Sequence, residues 1–256
     1  MTPLASVDQV LQANLDRLAA MAKVAAFTNR ESVTYGLVTE ALILQRSPAN
    51  DYVIFPQLYI DWKPQRNDKR HVLPDFGIGR YVWSDLCFHL QGGAEVKALH
   101  GLSMEDVVES VPEFNIDNLT ENYGLIDFRE SVTTLVSAAY IQAEDQIKSA
   151  IKCGHLPYHG TRVYAWLLFV GPYFRTYDFG PFTEAQVTTR GHKPNPSGDY
   201  RVLKFIANRE VPLGNWFTLG TEAGHNHLRQ YILATGTANA GLVNRPDDAS
   251  SDFPQP

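Results

Sequence analysis

Apolar side chains recur along this chain in two rhythms, one helical and one extended. Ser6-Val7-Asp8-Gln9 opens a helix whose stripe includes Leu11, Leu15, Leu18 and Val24. Thr28-Asn29-Arg30-Glu31 has the form of a capping box and leads into Val33, Tyr35, Leu37, Val38, Ala41, Leu42 and Leu44. Residues 50–62 (NDYVIFPQLYIDW) read as a strand, and so do 71–83 and 92–99. Asp127-Phe128-Arg129-Glu130 is a second capping-box pattern. It predicts a long helix to about Cys153, stopped by Gly154, with Val132, Leu135, Val136, Ala139, Ala143, Ile147 and Ala150 on its core face. On this helix Glu144, Asp145 and Lys148 are expected to point away from the core. The run from Arg162 to Gly171 is apolar enough for a strand buried on both faces. Beyond it, Tyr200–Asn208 reads as a strand and Thr221–Ala234 as a helix, which either complete the same core or form a small cap.

The alternation within 71–99 carries the chemistry. Strand geometry puts Ala94, Val96 and Ala98 on one small apolar face, and Glu95 and Lys97 on the other. Two charges on one side of a strand interior need a reason, because a buried unpaired charge is costly. Pro74-Asp75 stands on the preceding strand, separated from Glu95 by nineteen intervening residues, with Gly77 and Gly79 on the Asp75 face, where they would leave room close to the backbone. If the loop around Val82–Phe88 turns the chain back antiparallel, Asp75, Glu95 and Lys97 meet at one point. Two carboxylates are hard oxygen donors suited to Mg²⁺ or Mn²⁺ rather than zinc. A lysine beside them stays charged, which suits it to orient a water or to offset developing negative charge. The bland alternative is an exposed edge hairpin with ordinary surface charges.

On the residues Pro74-Asp75 and Glu95-Val96-Lys97, the chain resembles the PD-(D/E)XK nuclease superfamily, the restriction-endonuclease-like fold. That fold has a helix, a three-strand meander with the signature, a second long helix and a further strand. The resemblance covers about residues 28–180 and rests on the order and spacing of elements. It implies an α/β fold with a mixed β-sheet flanked by helices, here with an N-terminal helix and a C-terminal extension at 181–244. Together these make one domain over 1–244, followed by an Asp-, Ser- and Pro-rich tail at 245–256 that is expected to be disordered. It also implies that Asp75 and Glu95 hold Mg²⁺ or Mn²⁺, with the Val96 carbonyl a further ligand, and that Lys97 assists the attacking water. Members often add a glutamate on the first helix and a glutamine on the second. Glu31 fits the first by its place near the helix start, with Glu40 the other candidate. Gln142 and Gln146 both fall on or beside the core stripe, and Gln142 matches the family pattern better. The implied activity is metal-dependent hydrolysis of phosphodiester bonds, in DNA before RNA. A non-catalytic nucleic-acid- or protein-binding module on the same fold is the rival.

Composition changes this picture only at the edges. The net charge of −6 counts against a large nucleic-acid footprint, so binding would depend on a local patch. Lys63, Arg66, Lys69 and Arg70, just before Pro74-Asp75, are the candidates to meet phosphates, unless they form a solvated loop. The absence of a long apolar run and of a recognisable signal peptide, together with only two cysteines, predicts an intracellular protein that is neither secreted nor membrane-bound. Many nucleases of this kind pair to cut both strands, which leaves room for a homodimer. Cys153, His155 and His159, and likewise His225 and His227, have loosely metal-like spacing without a compact four-ligand zinc pattern, and structural or surface roles are expected for them.

Overall fold

The computed structural model describes residues 6–28, 30–46, 52–58, 60–61, 71–72, 74–82, 87–99, 126–127, 132–188 and 215–240. Helix α1 (Val7–Phe27) starts where expected, and a capping box closes its first turn: the Ser6 hydroxyl accepts the Gln9 N–H at 3.2 Å and the Gln9 side chain accepts the Ser6 N–H at 2.9 Å. Its inner face is Leu15, Leu18, Ala19, Ala22 and Ala25, whereas Val24 is 58% exposed and lies off the stripe assigned to it. Helix α2 (Glu31–Ile43) packs on it, burying Thr34, Leu37, Val38, Ala41 and Leu42 at helical spacing. The Thr28–Glu31 capping box does not form. Arg30 occupies the N-cap without a side-chain bond, so Glu31 opens the helix at its first position and is free to face elsewhere.

The strands are β1 (Tyr52–Pro56), β2 (Ile60–Asp61), β3 (His71–Val72), β4 (Phe76–Val82), β5 (Cys87–Lys97), β6 (Ile126–Asp127), β7 (Tyr164–Val170), β8 (Tyr173–Phe179) and β9 (Asn215–Thr218). The expected single strand at 71–83 is thus two, with Asp75 in a bend between β3 and β4. Seven strands form one sheet in the order β1-β4-β5-β7-β8-β9-β6, while β2 and β3 pair separately. Every neighbouring pair is antiparallel except β5 and β7, which run parallel. A parallel pair needs a long crossover, and helix α3 (Thr133–Lys152) lies within it. Helices α4 (Glu184–Thr188) and α5 (Glu222–Ala240) complete the described elements. The result is a mixed α/β architecture in which helices flank a mixed sheet.

Alternation along the central strands sorts the core into two layers. Phe76, Ile78, Ala94, Val96, Leu167 and Phe169 pack against α1, α2 and α5. Trp166, Leu168 and Val170 point the other way, onto Val136, Ala139, Ala143, Ile147 and Ala150 of α3. The unbroken apolar run of β7 is what a strand covered on both faces requires.

Two expectations about local chemistry fail. Asp127 lies in β6 and α3 begins at Thr133 with Val132 as an N-cap that makes no side-chain bond, so Asp127 does not cap the helix; residues 128–131 lie outside the described residues. The C-terminal stop is as expected: Gly154 adopts φ +78°, and the amides of His155 and Leu156 return to the Ala150 carbonyl. Nor do Gly77 and Gly79 leave space near the backbone. A Cβ at Gly77 would meet the Leu58 side chain at 2.5 Å, and one at Gly79 the His89 carbonyl oxygen at 2.2 Å and the Phe88 ring at 2.6 Å.

The described C-terminal residues, 215–240, pack onto the same core. Strand β9 joins β8, Trp216 is fully buried, and Leu228, Tyr231 and Ile232 of α5 pack under β5 and β7. The Tyr231 hydroxyl reaches the carbonyls of Gly93 (3.4 Å) and Ala165 (3.0 Å), tying α5 to both parallel strands. Gly92 makes this approach possible, because a Cβ there would stand 2.5 Å from that hydroxyl. The expected strand at Tyr200–Asn208 and the 245–256 tail lie outside the described residues. No described helix is long and apolar enough to cross a membrane.

Candidate active site

The ladder between β4 and β5 ends at the pair Phe76 and Ala94, which puts Asp75 beside Glu95 at the rim of the sheet. A bulge lower in that ladder, where Gln91 is the extra residue of β5, sets this register. Beyond the last pair, the Val96 N–H has no strand partner on the β4 side. The Asp75 carboxylate takes that place, with Oδ2 accepting the Val96 N–H at 2.6 Å. A strand residue points its N–H and C=O to the same side, so the Val96 carbonyl also faces this gap.

Glu95 points to the α3 side of β5 and is only 3% exposed. Two donors hold it: Lys97 Nζ at 2.7 Å from Oε1, and Gln146 Nε2 at 2.5 Å from Oε2. The Asp75 and Glu95 carboxyls lie close enough for the charge of one to act on the other. From α2, the Tyr35 hydroxyl donates to Asp75 Oδ1. Asp75, Glu95 and Lys97 therefore converge as the spacing predicted.

The electrostatics follow from two carboxyls sharing a site with little water. Burial foremost, then repulsion from Glu95, push Asp75 up from 3.8 to about 8. The Val96 N–H and Lys97 oppose the shift and Glu31 adds to it. Burial likewise raises Glu95, against the pull of Lys97 and Gln146. Burial alone would lower Lys97, but the charge and hydrogen bond of Glu95 outweigh it and hold the amine above its ordinary value. Beside the Glu95 charge, Lys97 is therefore held in its ammonium form.

Of the two candidate glutamines, Gln146 reaches the site and Gln142 does not. Gln142 is one turn earlier, about 6 Å along the helix axis, and is exposed. Glu144, expected to point outward, is instead buried and paired with Lys148. Of the two helix glutamates, Glu40 forms an ion pair with Arg17 of α1 at 2.7 Å, while the charge of Glu31 acts on both Asp75 and Lys97. Glu31 is exposed and sits one helical turn before Tyr35. Tyr35 was the residue that sequence reasoning missed, counted there only as part of an apolar stripe. The signal that could have found it is its i,i+4 relation to Glu31. Lys63, Arg66, Lys69 and Arg70 all lie outside the described residues.

Among the described residues no group of three or more His, Cys, Asp or Glu side chains is arranged to hold a metal. The donor set at the site is two carboxylates with the Val96 carbonyl beside them. That suits Mg²⁺ or Mn²⁺, which are held by one or two carboxylates and keep several waters. The raised values of Asp75 and Glu95 agree with such a donor set, since a dication would offset the repulsion between the two carboxyls. His225 and His227 contact other elements. His225 Nδ1 lies 3.0 Å from Gln45 Nε2; His227 stacks on Phe217 at 4.1 Å between ring centres and lies 3.1 Å from the Thr176 hydroxyl.

No protein family, no curated protein and no solved structure matches the chain.

Proposed function

We propose that this protein is a metal-dependent phosphodiesterase of the restriction-endonuclease-like fold, acting on DNA. The observation that carries the reading is the convergence of Asp75, Glu95 and Lys97 at the rim of the sheet, with Glu95 buried and held on both oxygens. The order of elements supports it: helix α2, the antiparallel meander β1-β4-β5, helix α3, then β7 parallel to β5.

Bound Mg²⁺ or Mn²⁺ would polarise a phosphoryl oxygen and acidify a water. The chain's own residues do the remainder. Asp75 and Glu95 supply the oxygen donors, with Val96 O beside them. Gln146 Nε2 fixes the Glu95 carboxylate against rotation. Lys97 Nζ, as an ammonium, donates a hydrogen bond to the attacking water and offsets the charge that develops on the phosphate. Glu31 extends the negative field at the mouth.

Incubating the purified full chain with closed circular plasmid, linear duplex and single strands in Mg²⁺, Mn²⁺ or EDTA tests the assignment. Cleavage should require the cation, and Asp75→Ala, Glu95→Gln or Lys97→Met should each reduce it by about a hundredfold or more. An Asp75→Ala protein that cuts at the wild-type rate would refute the assignment. Conversion of the closed circle distinguishes endonuclease from exonuclease action.

A further inference from the structure

One contact to the site comes from the opposite side of the sheet. We propose that Tyr35 is a positioning residue for the divalent-cation site, holding Asp75 in the rotamer that faces Glu95. This rests on the cation reading above. Asp75 stands in a bend, outside any strand ladder, so the backbone alone leaves its side chain free to swing outward. Two donors prevent that. The Val96 N–H holds Oδ2 and the Tyr35 hydroxyl holds Oδ1, and a donor on each oxygen fixes the plane of the carboxylate as well as its direction.

Tyr35 is itself held. Its ring lies against Phe76, the residue after Asp75, with centres 5.7 Å apart. Thr34, Leu37 and Val38 on either side of it are fully buried, so α2 cannot shift the hydroxyl without opening the core. A carboxylate has about four lone-pair sites, so each Asp75 oxygen keeps one for a cation while its donor stays in place. Tyr35 therefore acts before binding and persists through it. Without the hydroxyl, the cation would have to order Asp75 as it binds.

Calorimetric titration of the full chain with Mn²⁺, without nucleic acid, tests this apart from hydrolysis. Tyr35→Phe keeps the ring and its packing. It should weaken Mn²⁺ binding about ten- to a hundredfold. Leu42→Val, a buried change further along α2, should leave the affinity unchanged even if it lowers the melting temperature. A Tyr35→Phe protein that binds Mn²⁺ as wild type does overturns the proposal, whatever its melting temperature, and leaves the nuclease reading standing. An equal loss in Leu42→Val also overturns it, because general loosening of α2 would then account for the effect. Failure of the wild type to bind Mn²⁺ overturns the cation reading and this inference together.

Discussion

Replacing Asp75 by Asn should stabilise this protein in the absence of metal. Folding moves Asp75 from 3.8 to about 8, so over that interval the folded state holds a proton that the unfolded state has released. Stability linked to this group is therefore fully present below about pH 4 and is lost as pH rises toward 8. At pH 7 the interval crossed is roughly three pH units, worth up to about 4 kcal/mol at about 1.4 kcal/mol per unit. Asn removes the charge but keeps an oxygen to accept the Val96 N–H, and the Tyr35 hydroxyl can turn to accept from the new amide. At pH 8 in EDTA the variant should gain about 2 kcal/mol or more, which for a chain of this size is about 4–8 °C in Tm. At pH 4 the gap should close. Thermal melts followed by circular dichroism at both pH values measure it, and Mg²⁺ should raise the wild type more than the variant. A variant that melts no higher than wild type at pH 8, or whose advantage is the same at pH 4, would show that Asp75 is not held against its charge.

Gln146→Leu should cut metal-dependent cleavage at least tenfold, because it strips the donor from Glu95 Oε2, while Gln142→Ala should leave the rate unchanged; a steady-state comparison decides it. Gly93→Ala should destabilise by about 2–3 kcal/mol in urea unfolding, since its Cβ would stand 2.1 Å from the buried Trp166 ring two residues below Glu95.

Much of the architecture was legible in the sequence because its rules are local. The helical stripes of α2 and α3, the continuous apolar run of β7 and the glycine stop at Gly154 all follow from side-chain spacing and backbone preference within a few residues. The capping boxes were less dependable. Neither predicted box caps its helix, since α2 begins at Glu31 and α3 at Thr133; packing of α2 and pairing of β6 with β9 set where those segments enter and leave regular structure. The glycines at 77 and 79 gave a wrong signal for a similar reason. Space beside a backbone belongs to whichever side chain the fold brings there, and here these are Leu58, at Gly77, and Phe88, at Gly79.

The sequence by itself determined that Glu95 and Lys97 share a strand face and that an acid on the preceding strand could join them. Period-two alternation and a return of the chain are enough for that. Only the tertiary structure decided the rest of the site. Tyr35 meets Asp75 across 40 residues of chain and Gln146 meets Glu95 across 51. At that range contacts depend on the bulged register of β4 with β5 and on the height of each helix against the sheet. One helical turn, about 6 Å, separates the glutamine that reaches the site from the one that faces solvent.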